Sequence, residues 1–403
     1  VCGLRSNSLD DYGGAVSCAE NFMTAKKGQK PAAIRNANIK LVMQLIDSGV
    51  RSRCDLAKST KLSNPALTMI IDQMLGIGFV KEGEKIVTNE RGRRKVDLAI
   101  NREFAAVVGV DFSSDNILIT LADFTRKALA HREIADSEII TRKVLSRVVE
   151  VLREVLSATD IPVKCICVGV PGKVNAATGR VHMASYKYRD CCDIDMAEFF
   201  ESEFGIPTVL ANDASLQMLA EKTYEGAGRD SALIYNDYGM GGALWLKGEN
   251  FEGDSGFAAE LGAIPIAYDG EVSIFEDICG INAMLRASGY DLGDPRSFDK
   301  FLAAYAAGGK DEGAAVERSA RGIALLIRCI LGVAGCRDIM ITGKASRLGG
   351  RYIDSISKYL EEEKIFDISQ LSLRYGHFRG NATVTGAVEK AVSYVIDTEI
   401  ARR

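Results

Sequence analysis

The stretch Ser52-Arg-Cys-Asp-Leu-Ala-Lys-Ser-Thr-Lys61, continued after Leu62 by Ser63-Asn-Pro-Ala-Leu-Thr-Met-Ile-Ile-Asp-Gln-Met-Leu-Gly-Ile-Gly78, decides how the first quarter of the chain folds. Ser52 followed three residues later by Asp55 is a capping box, which opens a short helix through Lys58. Ser63-Asn64-Pro65 opens a second helix, with proline in the first turn, where its missing N–H costs nothing. Leu67, Ile70, Ile71 and Met74 fall on one face of that helix, and Gly76 and Gly78 end it. Working outward, apolar residues at 34, 39, 42, 45 and 46 form a helical stripe over Ile34 to Ser48, stopped by Gly49. On the other side, Phe79-Val80, the charged loop KEGEK and Ile86-Val87 read as a hairpin. Three helices and a hairpin predict a winged helix-turn-helix over 31–103, behind a flexible leader at 1–30 that has no periodicity.

Such a domain would place the helix from Ser63 to Leu75 in the major groove of DNA. Asn64 and Thr68 are then the base readers, because amide and hydroxyl groups match donor and acceptor patterns on base edges. Lys58 and Lys61 would meet phosphate, positioning without specifying. The run Arg91-Gly-Arg93-Arg94-Lys95, just after the wing, suits a narrow minor groove, with the glycine letting the backbone come close. Charge agrees with this division. Residues 1–103 carry 17 Lys+Arg against 11 Asp+Glu, whereas the remaining 300 carry 33 against 43, so a net charge of −4 resolves into +6 and −10. A basic unit on an acidic body predicts a polyanionic partner, operator DNA, at one end only.

The 403 residues, with 47% hydrophobic and 26% charged content, exclude a largely disordered chain and a small disulfide-stapled scaffold. The longest apolar stretch, Ile323 to Ala334, contains Arg328 and falls short of the roughly 20 residues a membrane helix needs. The opening VCGLRSNSLDDYGG has no apolar core of the signal-peptide kind, so a cytoplasmic protein without a membrane partner is expected. Ten scattered cysteines read as buried reduced thiols, and three dispersed histidines predict no metal site.

From Phe104 the texture changes to α/β. Ala105 to Val110, Ile117 to Ala122 and a short run through Ala128 read as strands. A helix at Thr141 to Ser157 and a buried parallel strand at Val163 to Val170 follow. Helix Asp195 to Phe204, strand Thr208 to Leu210 and helix Ala214 to Lys222 complete a first cycle. Strands at Ala232 to Tyr235 and Ala243 to Leu246 begin a second, which ends with strand Ile339 to Thr342, helix Arg351 to Glu362 and helix Gly386 to Ile396. The same order twice predicts two similar α/β lobes with a cleft between them.

Several spaced motifs carry a resemblance. They are Val170-Pro-Gly-Lys-Val-Asn175 with Thr178-Gly179, Phe204-Gly-Ile-Pro207, Leu210-Ala-Asn-Asp213, Glu252-Gly253 and Ser255-Gly-Phe-Ala-Ala-Glu-Leu-Gly262. In this order they resemble the regulator branch of the ROK family (repressors, open reading frames and kinases), over about Ala33 to Val395. The resemblance implies a winged helix followed by an actin-like, ribonuclease H-like two-lobed sugar-kinase fold. Its lobes would be 104–213 plus 384–403, and 214–383 with a dimerisation surface. It also implies that Asn212, Asp213, Glu260 and Glu276 bind a sugar effector, with Asp213 at the position of the kinases' general base. An adjacent amide and carboxylate can donate to and accept from neighbouring hydroxyls, as a polyol demands.

Departures from the family pattern point away from catalysis. The kinases' Asp-x-Gly-Gly-Thr phosphate loop is here Asp111-Phe-Ser-Ser-Asp115, their second Gly-Thr-Gly is Asp237-Tyr238-Gly239, and their adenosine-side Gly-Gly is Gly343-Lys344. Glycines in such loops let backbone N–H groups approach an anion, and carboxylates repel one. The family's zinc ligands are also replaced, a histidine by Ala263 and a Cys-x-Cys cluster by Tyr268 to Phe275. Ser185-Tyr186 stands where an Asn is usual, which opens the choice of sugar. The resulting expectation is a homodimeric or tetrameric, sugar-responsive transcriptional repressor without catalytic residues, cofactor or metal. The alternatives are an ATP-dependent sugar kinase with an appended DNA-binding domain and a constitutive DNA-binding scaffold.

Overall fold

Ser52 and Ser63 cap the helices that follow them: Ser52 Oγ accepts the Asp55 N–H at 3.1 Å and Ser63 Oγ accepts the Ala66 N–H at 3.4 Å. The computed structural model describes residues 31–86, 95–113, 115–135, 140–175, 180–184, 194–225, 229–253, 258–268, 270–362, 366–378 and 380–402. It begins with α1 (Pro31–Asp47), α2 (Arg53–Thr60) and α3 (Asn64–Ile77). Gly76 lies inside α3, and Gly78 alone closes it: at φ 96° its N–H donates to Met74 and Leu75 carbonyls, while Phe79 N–H donates back to Met74.

The wing differs from the sequence expectation. Lys81-Glu-Gly-Glu-Lys85 is not its turn but lies within β1 (Val80–Ile86), which pairs antiparallel with β2 (Lys95–Ile100), Val80 opposite Ile100 and Ile86 opposite Lys95. Lys81, Glu82 and Gly83 are exposed, so this part of the strand has no apolar alternation to mark it and its charged residues look like a loop. Lys95 therefore belongs to the wing rather than following it. Arg91, Arg93 and Arg94 lie outside the described residues, as does the leader 1–30.

Two five-stranded sheets then repeat one plan. In the first, β3 (Ala106–Asp111), β4 (Ile117–Asp123) and β5 (Ala128–Ile134) form an antiparallel meander. The third strand starts at Ala128 instead of ending there. After α4 (Arg142–Leu156), β6 (Val163–Val170) adds parallel to β3. The hairpin β7 (Gly172–Asn175) and β8 (Arg180–Ala184) and helix α5 (Met196–Phe204) lead to β9 (Thr208–Asn212), parallel to β6. The order is β5-β4-β3-β6-β9, and α6 (Asp213–Glu225) follows.

In the second sheet β10 (Ser231–Asn236), β11 (Met240–Leu246) and β12 (Glu249–Asn250) form the meander. A 3-10 turn at Leu261–Ala263, the hairpin β13 (Pro265–Tyr268) and β14 (Glu271–Ile274), and helices α7 (Phe275–Cys279), α8 (Ile281–Ala287), α9 (Ser297–Ala306) and α10 (Lys310–Val333) intervene. Then β15 (Asp338–Thr342) adds parallel to β10, and after α11 (Gly350–Glu362) β16 (Ser372–Tyr375) adds parallel to β15. The order β12-β11-β10-β15-β16 matches that of the first sheet, and α12 (Ala382–Ala401) ends the plan.

The last helix of each repeat covers the other repeat's sheet: α12 lies on β3 and β6, α6 on β11, and the two helices pack on each other. Glycine makes this approach possible, since a Cβ on Gly386 would fall 1.9 Å from the Leu216 carbonyl oxygen. The N-terminal helical unit is docked on the same helix. Ile39, Met43, Leu56, Ile71 and Phe79 share one buried cluster with Val107, Ala387, Ala391 and Val395, and the rings of Phe79, Phe104 and Phe124 meet at 5.0–5.5 Å. Ion pairs cross the seam: Lys40 Nζ donates to Asp397 (2.7 Å) and to Ser393 Oγ (2.9 Å), and Arg126 lies 2.7 Å from Glu389 and 3.6 Å from Asp47. Burial pushes the Asp47 carboxyl above its usual range, against the pull of Arg126, with Glu389 and Asp123 adding to the rise.

Among the described cysteines, Cys165, Cys167, Cys279 and Cys336 are buried thiols, while Cys54 on α2 is exposed and departs from the expectation. Among the described residues no helix is long and apolar enough to cross a membrane.

Candidate functional site

The carboxyl ends of the parallel strands of both sheets carry the polar residues that matter. Open α/β sheets bind ligands beyond those ends. Strand β9 ends in Asn212 and runs directly into α6, so the Asn212-Asp213 pair sits at a helix N-terminus. Asn212 Oδ1 accepts the Ser215 N–H at 3.0 Å, and its Nδ2 donates to the Gly172 carbonyl and to Asp213 Oδ1, each at 3.0 Å. Asp213 Oδ1 also accepts the Ala214 N–H at 2.9 Å, and the side chain is buried. Both rotamers are therefore fixed before any ligand arrives.

Glu260 and Glu276 converge on the start of β11 from the second lobe. Glu276 Oε2 accepts the Met240 N–H at 2.7 Å. Glu260 immediately precedes the 3-10 turn, in which a Cβ on Gly262 would lie 2.1 Å from the Met240 carbonyl oxygen. A Cβ on Gly241, the next residue, would touch Ala214 at 3.9 Å, beside Asp213. Of the four residues named from the sequence, Glu276 thus contacts the Met240-Gly241 corner directly, and neighbours of Asp213 and Glu260, namely Ala214 and Gly262, approach it. Glu276 is at the same time a structural acceptor for the turn from Asp237 to Met240.

Next to this corner lies a second polar group, built by residues the sequence singled out only as departures. Asp237 Oδ1 accepts the Tyr238 N–H at 2.8 Å and Oδ2 accepts the Lys344 N–H at 3.0 Å. Gly343 makes the second bond possible: at φ 79° a Cβ there would fall 2.6 Å from the Asn236 carbonyl. The Lys344 ammonium reaches 2.6 Å from Asp115 Oδ2, 3.8 Å from Asp237 Oδ1 and 4.7 Å from the centre of the Tyr238 ring. Burial draws this ammonium's pKa down, but Asp237 and Asp115 outweigh it and hold the value above that of an ordinary lysine. In the first lobe Asp111 Oδ1 accepts both the N–H (2.7 Å) and the hydroxyl (2.6 Å) of Ser113, whose oxygen lies 3.2 Å from Thr383 Oγ1 at the start of α12. Tyr235, partly buried, has its phenol pKa raised by burial first and then by Asp237, Asp213, Asp111 and Asp115. Four carboxylates, Asp237, Asp213, Asp111 and Asp115, thus act on Tyr235, with Lys344 paired to two of them.

On the reader, α3 turns Leu67, Ile70, Ile71, Met74 and Ile77 inward and leaves Asn64 and Thr68 exposed, as expected. Lys58 is exposed near Asp55 (3.8 Å), and Lys61 occupies the left-handed turn between α2 and α3 at φ 54°. Lys95 opens β2. Sequence reasoning missed Arg53, which joins Asp72 of α3 (3.4 Å) to Glu82 of the wing (3.5 Å), and it missed Met69, fully on the outer face of α3.

Residues 107–390 match the model of the ROK family. The chain is 29% identical over 252 residues to a protein named putative xylose repressor from Caldicellulosiruptor sp. (strain Rt8B.4), covering 60% of this chain and 61% of that one. It is 22% identical over 390 residues to the xylose repressor of Caldicellulosiruptor bescii, covering 89% and 96%. Among solved structures, the fold is similar to a ROK transcriptional regulator described as a homologue of the Escherichia coli Mlc protein, with a TM-score of 0.75, 22% identity and coverage of 92% of this chain and all of that one. It is also similar to the ROK hexokinase of Thermus thermophilus, with a TM-score of 0.58, 20% identity and coverage of 72% and 99%.

Proposed function

The chain belongs to the ROK family, and we propose that it is a DNA-binding transcriptional regulator, a repressor of carbohydrate genes, whose interlobe corner senses a sugar without phosphorylating it. The observation that carries this reading is the mode of docking of the winged helix: it shares a core with α12, and α12 packs on α6, the helix that starts at Asp213. A ligand held by Asn212, Asp213, Glu260 and Glu276 would thus bias a 20-residue helix, about 30 Å long, that places Thr383 beside Ser113 near one end and Asp397 beside Lys40 near the other. The ligand shifts a population of lobe arrangements and so the placement of two symmetry-related winged helices on their half-sites. A homodimer or tetramer supplies that symmetry.

Two features favour sensing over phosphoryl transfer. The Tyr238 and Lys344 N–H groups, in the segments that align with the kinases' nucleotide loops, are already taken by the Asp237 carboxylate. Asp115, a carboxylate where the kinases' loop has a threonine, adds negative charge beside Asp237 and Tyr235. Asp213 could accept a proton from a sugar hydroxyl, but a base without a bound phosphoryl donor does no chemistry. Calorimetry with ATP and magnesium tests this part: no binding at millimolar nucleotide is expected, and micromolar affinity together with sugar phosphorylation would establish the kinase reading instead. A gel-shift titration against DNA flanking the chain's own gene tests the rest. It should show a specific complex, and its absence at moderate salt would refute the proposal.

A further inference from the structure

The outer face of α3 is chemically unusual for a helix meant to meet DNA. Between Lys61 and Lys81 the chain contains no lysine, arginine or histidine. At 100° per residue, Asn64, Pro65, Thr68, Met69 and Asp72 share the half of the helix opposite Leu67, Ile70, Ile71 and Met74, and all five are exposed. Met69 is 66% exposed, which leaves a large apolar side chain in water at the edge of this otherwise mostly polar face, next to Pro65. Asp72, the one charge on the face, lies two turns into the helix and is paired with Arg53 at 3.4 Å.

Guanine is read in the major groove by the paired donors of arginine or lysine, and this helix has neither. What it offers instead is an amide at Asn64, which suits the N6 and N7 edge of adenine, and apolar surface at Met69 and Pro65, which suits the C5-methyl of thymine. The cations sit at the margin, on Lys58 and Lys61, where they can hold phosphate and set the register. We propose that Met69 is a base-reading residue and that the operator half-site presents A·T pairs, with a thymine methyl against Met69, to the first two turns of α3. This inference rests on the DNA-binding reading and adds to it the chemistry of the sequence that is read.

Selection from a pool of random duplexes with the full chain, followed by replacement of each selected thymine by uracil, tests it. The wild type should enrich a motif whose positions beneath α3 are A·T. A thymine-to-uracil exchange in a single half-site should weaken binding about three- to tenfold, the scale of one buried methyl group. Met69→Ala should lose a similar factor and become indifferent to that same exchange, while Met69→Leu should retain the preference. Because Met69 is exposed, these variants leave the folded core untouched, and unchanged thermal unfolding verifies that. An obligatory guanine beneath α3, or a uracil penalty that is the same in Met69→Ala as in the wild type, overturns the inference while leaving DNA binding standing. If the wild type enriches no sequence at all, the DNA-binding reading falls and this inference falls with it.

Discussion

The ammonium of Lys344 lies 2.6 Å from the carboxylate of Asp115, a residue 229 positions earlier in the chain and in the other lobe. A lysine at the end of β15 thus ties the second sheet to the loop after β3 of the first. The same residue's backbone N–H is bound by Asp237, so the segment Gly343-Lys344 is held at both ends.

This tie yields a first prediction. The Asp115 side chain is 66% exposed, so its half of the pair contributes little, within the roughly 0–1 kcal/mol range of surface ion pairs. Asp115→Asn should therefore move the thermal midpoint only slightly. Lys344→Met should cost more, because it leaves Asp237 and Asp115 without their cation, and the reversed pair Asp115→Lys with Lys344→Asp should not recover the loss, since Asp237 would then face a carboxylate at position 344 in place of its cation. Calorimetric unfolding of the four proteins checks the ranking. Equal midpoints for wild type and Lys344→Met would show that the tie holds nothing.

The Asn212-Asp213 pair gives a second. Asp213→Ala removes the acceptor proposed for the effector's hydroxyls, and Asn212→Ala also removes the bond that seats Gly172. Loss of one charged hydrogen-bond partner is worth about 1.5–3 kcal/mol, so effector affinity should fall roughly ten- to a hundredfold in Asp213→Ala. DNA binding without effector should persist. Isothermal titration with the responsive sugar measures the first, and a regulator whose sugar response survives Asp213→Ala does not use this site.

How much of this was legible in the sequence follows from what each signal depends on. Helix caps are local, and Ser52, Ser63 and Gly78 announced α2 and α3 within two residues. The double α/β order was legible because buried strands such as Val163 to Val170 are continuously apolar. The wing was legible as a hairpin but its turn was misplaced, because exposed Lys81, Glu82 and Gly83 carry no apolar alternation to mark a strand. In the site, Asn212 and Asp213 were visible as a motif. The role of Lys344 was visible only as a missing glycine, since its partner Asp115 is set by the tertiary fold. The exchange of α6 and α12 between sheets had no sequence mark beyond Gly386.

That glycine supports a third prediction. A methyl group at 386 would collide with the Leu216 carbonyl at 1.9 Å, and main chain cannot move aside as a side-chain tip can. Gly386→Ala should destabilise the protein by about 1–3 kcal/mol or more, as overpacking does. It should also weaken the coupling between effector and DNA by separating α6 from α12. Chemical denaturation and effector titrations of the DNA complex measure the two effects. A fully coupled, fully stable Gly386→Ala protein would mean that the helices do not communicate through this contact.

A fourth concerns thiols and pH. Burial pushes the Cys167 and Cys279 thiols from 9.0 to about 12, whereas Cys54 is exposed. At pH 8, iodoacetamide should modify Cys54 readily and the other two only as fast as the protein unfolds, as peptide mapping would resolve. A raised thiol pKa keeps a proton in the folded state that the unfolded chain releases. These groups therefore leave stability unchanged below about pH 9 and lower it between about 9 and 12, by up to about 1.4 kcal/mol per pH unit for each thiol. Cys279→Ala should flatten that alkaline decline. Rapid native alkylation of Cys167 and Cys279 would contradict the packing described.

The central claim is that one chain joins an operator reader to a sugar sensor through α12. Its most direct measurement is a fluorescence-anisotropy titration of the full chain against labelled genomic duplexes, with and without each member of a panel of sugars and sugar phosphates. The account predicts a sequence-specific, salt-dependent complex whose affinity shifts about 5- to 150-fold with one member of the panel. A specific complex that no sugar alters, or no specific complex on any duplex, would contradict it.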